Sequence, residues 1–351
     1  MDLLQKIDLL GEAAQYDICR GCGTHSNRSR DDLGRWIYPA VHPDGKRIAM
    51  LKVLQSNVCE KDCAYCANRS GRDVPRATFG PDDLARAFDQ LVRAGRVQGL
   101  FLSYAFPGYI HLKILPGADD ASIEAAVRMA HRVSVNLEAP NARRIRALSQ
   151  SKDLQRDLLA PLRRAHHIRR QLGSAVSMTT QFVVGAADEL DQEILSSSAA
   201  LYEQLKLARV YYSAFQPIAH TPLEDHAPTP AWREHRLYEA DFLLRQYGFG
   251  LDELVFEEGN LPRRADPKTL WAWRHPELFP LEINTASREE LLRVPGIGPK
   301  SAERLVAWRR QGKVRELRQL ALAGASAQRA SAFVLLDGQR PTCQLPLWRG
   351  C

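Results

Sequence analysis

The sequence predicts an α/β fold, a partial (β/α)6 barrel followed by a small all-α module near the carboxyl end. Six short apolar runs alternate with longer amphipathic segments between residues 51 and 215. Strands that alternate with helices form mainly parallel sheets or (β/α) barrels. After residue 281, a glycine-containing turn separates two short helical patterns. A chain of 351 residues is long enough for one large domain and one small one.

The apolar runs define the predicted strands. They lie at residues 51–54, 99–102, 109–115, 132–137, 177–184 and 209–215. Segments between them have helical spacing; within 81–94, Leu84, Phe88 and Leu91 share one face. Residues 190–207 and 232–247 are also predicted helices. We predict an amino-terminal extension over 1–45, the barrel over 46–225, a connector of helix and loop over 226–280, the small module over 281–338 and a tail over 339–351.

One connection is short for this fold. Only the YAFPG segment at residues 104–108 separates the strand that ends near Ser103 from the strand that starts at Tyr109. A parallel crossover needs a dozen or more residues, usually a helix. Either one crossover helix is missing or the two strands are not parallel neighbours. We expect an antiparallel or broken pairing here, with a pocket that is open on that side.

Composition and charge exclude several classes of protein. The charged and hydrophobic fractions, 25% and 45%, are typical of a folded soluble protein rather than a disordered one. No run approaches the roughly 20 apolar residues of a membrane helix. The first residues lack the basic start and cleavage site of a signal peptide. We therefore expect a cytoplasmic protein without a membrane partner. The net charge of +7 favours an anionic partner, with nucleic acid as the first candidate.

Three of the seven cysteines crowd into one short segment directly after the first predicted strand. Their spacing is Cys59-x3-Cys63-x2-Cys66. Thiolates are the usual ligands of iron–sulfur clusters. Three on one loop can hold three irons of a [4Fe–4S] cube and leave the fourth iron open to a chelating small molecule. The alternatives are three unrelated thiols or a zinc site, but zinc would require a fourth Cys or His nearby.

The segment CEKDCAYC resembles the radical S-adenosylmethionine signature. Much of the chain, about residues 13–333, is similar to radical-SAM proteins of DNA modification or repair that are associated with uracil-DNA-glycosylase-like partners. The segments that carry this resemblance are CAYCANRSGRDVPRATF, GLFLS, GYIHLKILPGA, SVNLEAP, TTQFVVGA, RVYYSAFQPI, REHRLYEADFLLRQYGF and RHPELFPLEINTASREELLRVPGIGPKSA. The resemblance implies a [4Fe–4S] cluster on the three cysteines, S-adenosylmethionine as cofactor, an electron donor, and C–S cleavage that releases a 5′-deoxyadenosyl radical.

The resemblance also implies cofactor-binding residues. Asn136 and Glu138 match positions that contact the ribose, Tyr65 fits an aromatic that packs on the adenine, and Ser103 and Gln181 follow from their places on the strands. Each has an ordinary structural alternative, a core tyrosine or a polar turn former. Related proteins carry a helix-sized segment of small residues after GLFLS, where this chain has residues 104–108. The departure implies an intact cluster with slow or absent cleavage of S-adenosylmethionine.

The segment LLRVPGIGPKSAERLVAWRR predicts a helix–hairpin–helix. Its S-x-x-E at 287–290 is a capping box, its G-I-G at 296–298 is a tight turn, and Pro299 is a favoured first helical residue. This motif binds the DNA backbone without reading sequence, because backbone N–H groups and a helix N-terminus point at phosphate. The alternative is an ordinary hairpin with a solvated basic face. The predicted DNA contacts are Gly296, Ile297, Gly298, Lys300, Ser301 and Arg304.

Eight basic residues between positions 293 and 318, against two acidic ones, agree with DNA binding. Residues 314–333 could form a second hairpin, but GAS replaces its Gly-x-Gly turn, which predicts a packing partner. Cys19 and Cys22, near His25, are free thiols or half of a second metal site. No role is assigned to Cys343 or Cys351.

Together these patterns predict a radical-SAM enzyme that modifies or repairs DNA, to which the hairpin delivers it. One alternative is a radical-SAM enzyme that modifies RNA. The other is a non-catalytic iron–sulfur protein that binds DNA and has a degenerate cofactor pocket, and the short segment at 104–108 is its main support.

Overall fold

The computed structural model describes residues 1–14, 29–30, 36–41, 47–97, 99–100 and 109–341. The chain divides into two compact units, Met1–Glu234 and His235–Cys351. In the described part of the chain, no helix is long and apolar enough to cross a membrane. Ser103, the segment 104–108, and Cys19, Cys22, Cys343 and Cys351 lie outside the described residues.

The first unit is built on an eight-stranded sheet whose strands follow one another in chain order. β1 and β2 form an antiparallel pair, β2 and β3 another, and β3 to β8 are parallel. The strands are β1 (Ser29–Arg30), β2 (Trp36–Val41), β3 (Arg47–Leu51), β4 (Gly99–Leu100), β5 (Tyr109–Lys113), β6 (Arg132–Ser134), β7 (Ser177–Val184) and β8 (Arg209–Ala214).

Helices lie between most of the parallel strands, which confirms the predicted α/β alternation. α1 (Leu3–Ala13) precedes the sheet. The connecting helices are α2 (Pro81–Arg93), α3 (Asp120–Met129), α4 (Ala142–Leu148), a π-helical segment (Leu154–Leu159) that runs into α5 (Ala160–Gln171), and α6 (Asp191–Leu205). α3 and α4 begin with ordinary caps. The side chain of Asp119 accepts a hydrogen bond from the backbone N–H of Ser122, and the side chain of Asn141 accepts one from that of Arg144.

The amino-terminal segment shares the core of the first unit. Ile7 and Leu10 of α1 are buried in one cluster with Leu51, Phe79 and Leu91. Residues 29–30, within the predicted amino-terminal extension, form a strand that pairs with β2. The predicted extension over 1–45 therefore supplies a helix and two strands to this unit.

The pairing of β4 with β5 corrects the prediction made from the short connection. The two strands are parallel, with Gly99 opposite Tyr109 and Leu100 opposite Ile110. The predicted antiparallel or broken pairing is therefore wrong. The prediction assumed that the chain must return along a whole strand within five residues. Pairing at Gly99 and Leu100 leaves eight residues, 101–108, for the return, and they can span roughly 30 Å when extended.

The second unit is mainly helical and includes most of α7 (Ala231–Gln246), in which the division between the units falls. The elements that follow are α8 (Pro267–Arg274), β9 (Leu281–Glu282), α9 (Arg288–Arg293), α10 (Pro299–Trp308), α11 (Leu317–Leu322), α12 (Ala327–Ala330) and β10 (Val334–Leu335). β9 and β10 pair in parallel. The segment from β9 to β10 has one apolar core, which includes Leu291, Ile297, Leu305, Leu320 and Val334.

Candidate functional site

The three clustered cysteines lie on the loop between β3 and α2. Cys63 is buried, 5% exposed, and Cys59 and Cys66 are half-buried; all three are free thiols. Burial raises the pKa of Cys63 and raises that of Cys66 to about 11, and the neighbouring thiols act in the same direction. These two thiols are therefore protonated at neutral pH, and a metal that bound them would displace their protons.

Asp62, within the cysteine loop, fastens the loop to the segment after α4. Its carboxylate accepts hydrogen bonds from the hydroxyls of Ser149 (2.5 Å) and Ser151 (2.7 Å) and from the backbone N–H groups of Gln150 and Ser151. The Ser149 hydroxyl, with these other donors, holds the pKa of Asp62 well below its usual range. Lys61 donates to the Ser151 carbonyl at 3.1 Å. The loop thus has a fixed attachment on one side.

Arg76 fastens the same loop from within. Its guanidinium donates to the backbone carbonyls of Asn57, Asn68, Arg69 and Arg72. One rigid side chain therefore ties together residues on both sides of the cysteines.

Lys152 is a candidate site residue that the sequence analysis missed. Its side chain is 8% exposed, and its Nζ lies 3.7 Å from Oε1 of Glu138, which is 13% exposed. It also hydrogen-bonds to the Cys63 thiol. Burial lowers the pKa of Lys152, but the Glu138 carboxylate and the Cys63 sulfur more than offset this, so the pKa lies above its ordinary value. A permanent cation therefore lies beside the cysteine loop.

Glu138 is held in an unusual backbone conformation beyond the end of β6. Its φ is 65°, in the left-handed region that non-glycine residues rarely adopt. Hydrogen bonds to β7 fix it, because its N–H donates to the Gln181 carbonyl and its own carbonyl accepts from Val183. The hydroxyl of Tyr65 bonds to its carboxylate, and burial raises the pKa of Tyr65 well above the usual value.

The structure therefore brings Glu138 to the cysteine loop, where it bonds to Tyr65. Gln181 lies beside Glu138 on β7 and Asn136 lies two residues before it, both half-buried. The adenine and ribose contacts predicted for these residues remain predictions.

The donor set fits an iron–sulfur cluster. Among the described residues, no three His, Cys, Asp or Glu side chains are arranged to hold a single metal ion. A single ion needs all its ligands around one centre, whereas three cysteines on a [4Fe–4S] cube each bind a different iron. Soft thiols on one anchored loop, with a buried ammonium to offset negative charge, are suited to such a cube.

The predicted hairpin is present in the second unit. The capping box at 287–290 forms, because Glu290 N–H donates to Ser287 Oγ and Ser287 N–H donates to the Glu290 carboxylate. α10 begins at Pro299, as predicted. Gly296 has a φ of 86°, and a Cβ there would lie 2.7 Å from the Ser326 carbonyl. Only glycine fits this turn.

The predicted DNA contacts separate into two groups. Lys300 and Arg304 are exposed, and Gly296 and Gly298 are half-buried. Ile297 and Ser301 are 1% and 5% exposed, so their side chains pack in the core. The Ile297 N–H donates to the Val294 carbonyl, which leaves the Ser301 N–H for a ligand. These two side chains lie on the inner face of the turn and of α10, and the DNA contacts predicted for the six residues stay predictions.

The basic residues near the hairpin are not equally available. Most are occupied by carboxylates or carbonyls: Arg293 by Glu253, Arg309 by Ile283 and Ala286, Lys313 and Arg315 by Asp337, and Arg318 by Glu316. Lys300, Arg304 and Arg310 form no ion pair with any residue that the structure describes, although Arg304 donates to the Ala323 carbonyl at 3.4 Å. The charge left for an anionic ligand is therefore smaller than the sequence count of eight.

Residues 314–333 pack against the hairpin, as predicted. Ser326 N–H donates to the Gly296 carbonyl at 2.8 Å, and Leu320, Ala323 and Ala330 join the same core as the hairpin residues. The GAS segment therefore supports the first turn.

Comparison with known proteins identifies the hairpin. Residues 280–323 match the helix-hairpin-helix motif, which suggests nucleic-acid binding. The comparison with curated proteins gives no match.

Three solved structures are similar to part of the chain. They are the FeFe-hydrogenase maturase HydG from Carboxydothermus hydrogenoformans (TM-score 0.42, 14% identity, 54% of this chain and 49% of that one), methylornithine synthase PylB (TM-score 0.43, 15% identity, 55% and 60%), and the radical S-adenosylmethionine methyltransferase TsrM from Kitasatospora setae (TM-score 0.38, 10% identity, 48% and 35%). The chain spans about half of HydG, 60% of PylB and about a third of TsrM.

Proposed function

We propose that this chain is a radical-SAM enzyme of DNA modification or repair, with a partial (β/α)6 barrel. Cys59, Cys63 and Cys66 hold a [4Fe–4S] cluster, and S-adenosylmethionine binds beside it. One observation carries the proposal: three thiols lie on an anchored loop after the first parallel strand, with the half-buried pair of Glu138 and Lys152 next to them. Active sites of (β/α) barrels gather at this end of the strands.

When bound, the cluster supplies the electron that breaks a C–S bond of S-adenosylmethionine and releases a 5′-deoxyadenosyl radical. The protein orients the cofactor and shields it from solvent. The ammonium of Lys152 offsets the negative charge of the thiolates, since it hydrogen-bonds to Cys63. Glu138 and Tyr65, already hydrogen-bonded to each other, supply polar and aromatic contacts for the ribose and adenine. Asn136 and Gln181 supply further polar contacts on the same side of the cofactor.

The parallel pairing of β4 with β5 favours catalysis over a degenerate pocket. The non-catalytic alternative has the short segment at 104–108 as its main support, and the broken pairing expected from that segment is absent, since Gly99 pairs with Tyr109 and Leu100 with Ile110. We propose that the helix–hairpin–helix delivers the enzyme to DNA rather than RNA. A uracil-DNA-glycosylase-like partner, an electron donor and a cytoplasmic location belong to the same proposal.

Anaerobic reconstitution tests the proposal. The wild-type protein should bind about four irons per chain and, once reduced, release 5′-deoxyadenosine from S-adenosylmethionine, with and without duplex DNA present. C63A should lose both the visible absorption and the product, whereas C343A, a thiol change in the tail, should lose neither. A C59A/C63A/C66A variant with a full iron complement would contradict the cluster assignment.

A further inference from the structure

Lys268, on α8, contacts the turn of the helix–hairpin–helix from inside the second unit. Its side chain donates a hydrogen bond of 2.6 Å to the carbonyl of Ile297, the middle residue of the G-I-G turn. The residue is 6% exposed. Its Nζ lies 4.6 Å from the centre of the Tyr247 ring. Lys268 precedes the matched residues 280–323, so the motif itself does not include it.

A buried lysine at this position lowers the stability of the fold. Removing an ammonium from water costs several kcal/mol unless it is paired. Asp266, whose carboxylate acts on Lys268 electrostatically, is already in an ion pair with Arg329 at 2.5 Å. Burial, together with Arg329 and Arg293 and against Asp266, lowers the pKa of Lys268 to about 7. An apolar side chain would fill this space at lower cost, so the cation at this position requires an explanation.

The amides that follow the turn lie next to the carbonyl that Lys268 holds. Ile297 N–H donates to Val294, and Ala302 N–H, the next amide to bond back, donates to Gly298. Between them, the N–H groups of Gly298, Lys300 and Ser301 have no acceptor among the described residues. These N–H groups are unpaired because they open α10, and together with the exposed Lys300 they are available to a phosphate, while Lys268 holds the adjacent Ile297 carbonyl.

We propose that Lys268 is a positioning residue for DNA binding, which holds the hairpin turn through the Ile297 carbonyl and places a buried positive charge beneath the phosphate-binding amides. The inference rests on the proposed DNA binding of this hairpin. Tyr247 from α7, Asp266 before α8, Arg293 from α9 and Arg329 from α12 are the charged or titratable groups that surround it.

The test is the affinity of the full chain for a short fluorescein-labelled DNA duplex, measured by anisotropy. K268M should weaken binding by about tenfold at pH 6.5, the effect of losing one hydrogen bond to a charged group. K313M removes the same charge from the same unit, but Lys313 is exposed and paired with Asp337, so its loss of affinity should be smaller. K268R, which keeps donor and charge, should retain most of the affinity.

The pH profile distinguishes positioning from a merely structural role. Wild-type affinity should fall between about pH 6 and about pH 8, as Lys268 loses its proton near pH 7, and K268R should lack this fall because arginine does not titrate. Stability should change in the opposite direction. The unfolded lysine keeps its proton to about pH 10.4, so unfolding is increasingly disfavoured as pH rises above 7. A structural role alone would make affinity rise with stability.

Two results would overturn the inference. One is K268M that melts at the wild-type temperature and binds duplex with wild-type affinity. The other is K268R that keeps the full pH dependence of the wild type. If the wild-type chain binds no duplex at all, the proposed DNA delivery fails together with the inference. Wild-type binding that K300A weakens but K268M does not would remove the inference alone.

Discussion

Lys152 and Glu138 place opposite charges in one half-buried corner beside the cysteine loop. Removing one member of such a pair leaves the other buried and uncompensated, which typically costs about 3–5 kcal/mol. Both side chains also act on the thiols, because the ammonium lowers the pKa of Cys63 and the carboxylate raises it. These two residues therefore set the local charge that a cluster would experience.

We predict that K152M makes the midpoint potential of the reconstituted cluster more negative, because the loss of a nearby cation disfavours the added electron. One charge at several ångströms, in an effective dielectric near 20, corresponds to a shift on the order of 100 mV. An EPR-monitored redox titration measures it. K152R, which keeps the charge, should stay close to the wild type. A K152M potential equal to that of the wild type would place Lys152 outside the influence of the cluster.

The two glycines of the hairpin turn differ in what they can tolerate. Gly296 has a φ of 86°, and its added Cβ would lie 2.7 Å from a backbone oxygen. Gly298 has a φ of −102°, and its Cβ would lie 3.3 Å from the Tyr247 hydroxyl. G296A should destabilise the second unit by roughly 1–3 kcal/mol, and G298A by less. Urea denaturation measures both, with G312A as a control where a Cβ meets nothing within 4 Å. Equal losses for G296A and G312A would refute this account of the turn.

At the scale of elements, the cysteine loop depends on contacts that are remote in sequence. Asp62 binds the Ser149–Ser151 segment, almost 90 residues away, and Lys152 follows directly. The cysteine loop, the segment after α4 and Glu138, which pairs with Lys152, therefore form one support for the candidate cluster.

We predict that D62N accelerates cluster loss. An amide cannot accept all four hydrogen bonds, and one of its own N–H groups would face a hydroxyl or N–H donor. The loop should open more often, and iron transfer to a chelator should become about tenfold faster. The absorbance of the iron–chelator complex follows this rate. D119N, which alters a cap on α3 away from the loop, should release iron at the wild-type rate. Equal rates for D62N and the wild type would show that the anchor is dispensable.

Patterns local in sequence were the ones that sequence analysis predicted well. The strand at 177–184, the capping box at 287–290 and the helix start at Pro299 all follow from neighbouring residues. Lys152 and Lys268 were missed because their partners, Glu138 with Cys63 and the Ile297 carbonyl, depend on tertiary packing. The pairing of β4 was mispredicted because an apolar run indicates where a strand lies but not at which residues it pairs.

For the whole molecule, the two compact units carry separate parts of the proposed function. The thiols, Glu138 and Lys152 belong to the first unit, and the hairpin with the exposed Lys300 and Arg304 belongs to the second. Variants confined to one unit should therefore affect only one property of the full chain. This expectation distinguishes a DNA-directed radical enzyme from a chain in which the two activities depend on a single site.

We predict that K300E/R304E weakens duplex binding strongly and reduces the salt dependence of the remaining binding, since two phosphate-neutralising charges are reversed. The same variant should release 5′-deoxyadenosine in the absence of DNA at the wild-type rate. C59S/C63S/C66S should show the reverse, with no product and unchanged duplex affinity. Anisotropy titrations at several salt concentrations and chromatography of the reaction products measure the two properties. Loss of duplex binding in the cysteine variant would show that the first unit, and not the hairpin, carries the main DNA contact.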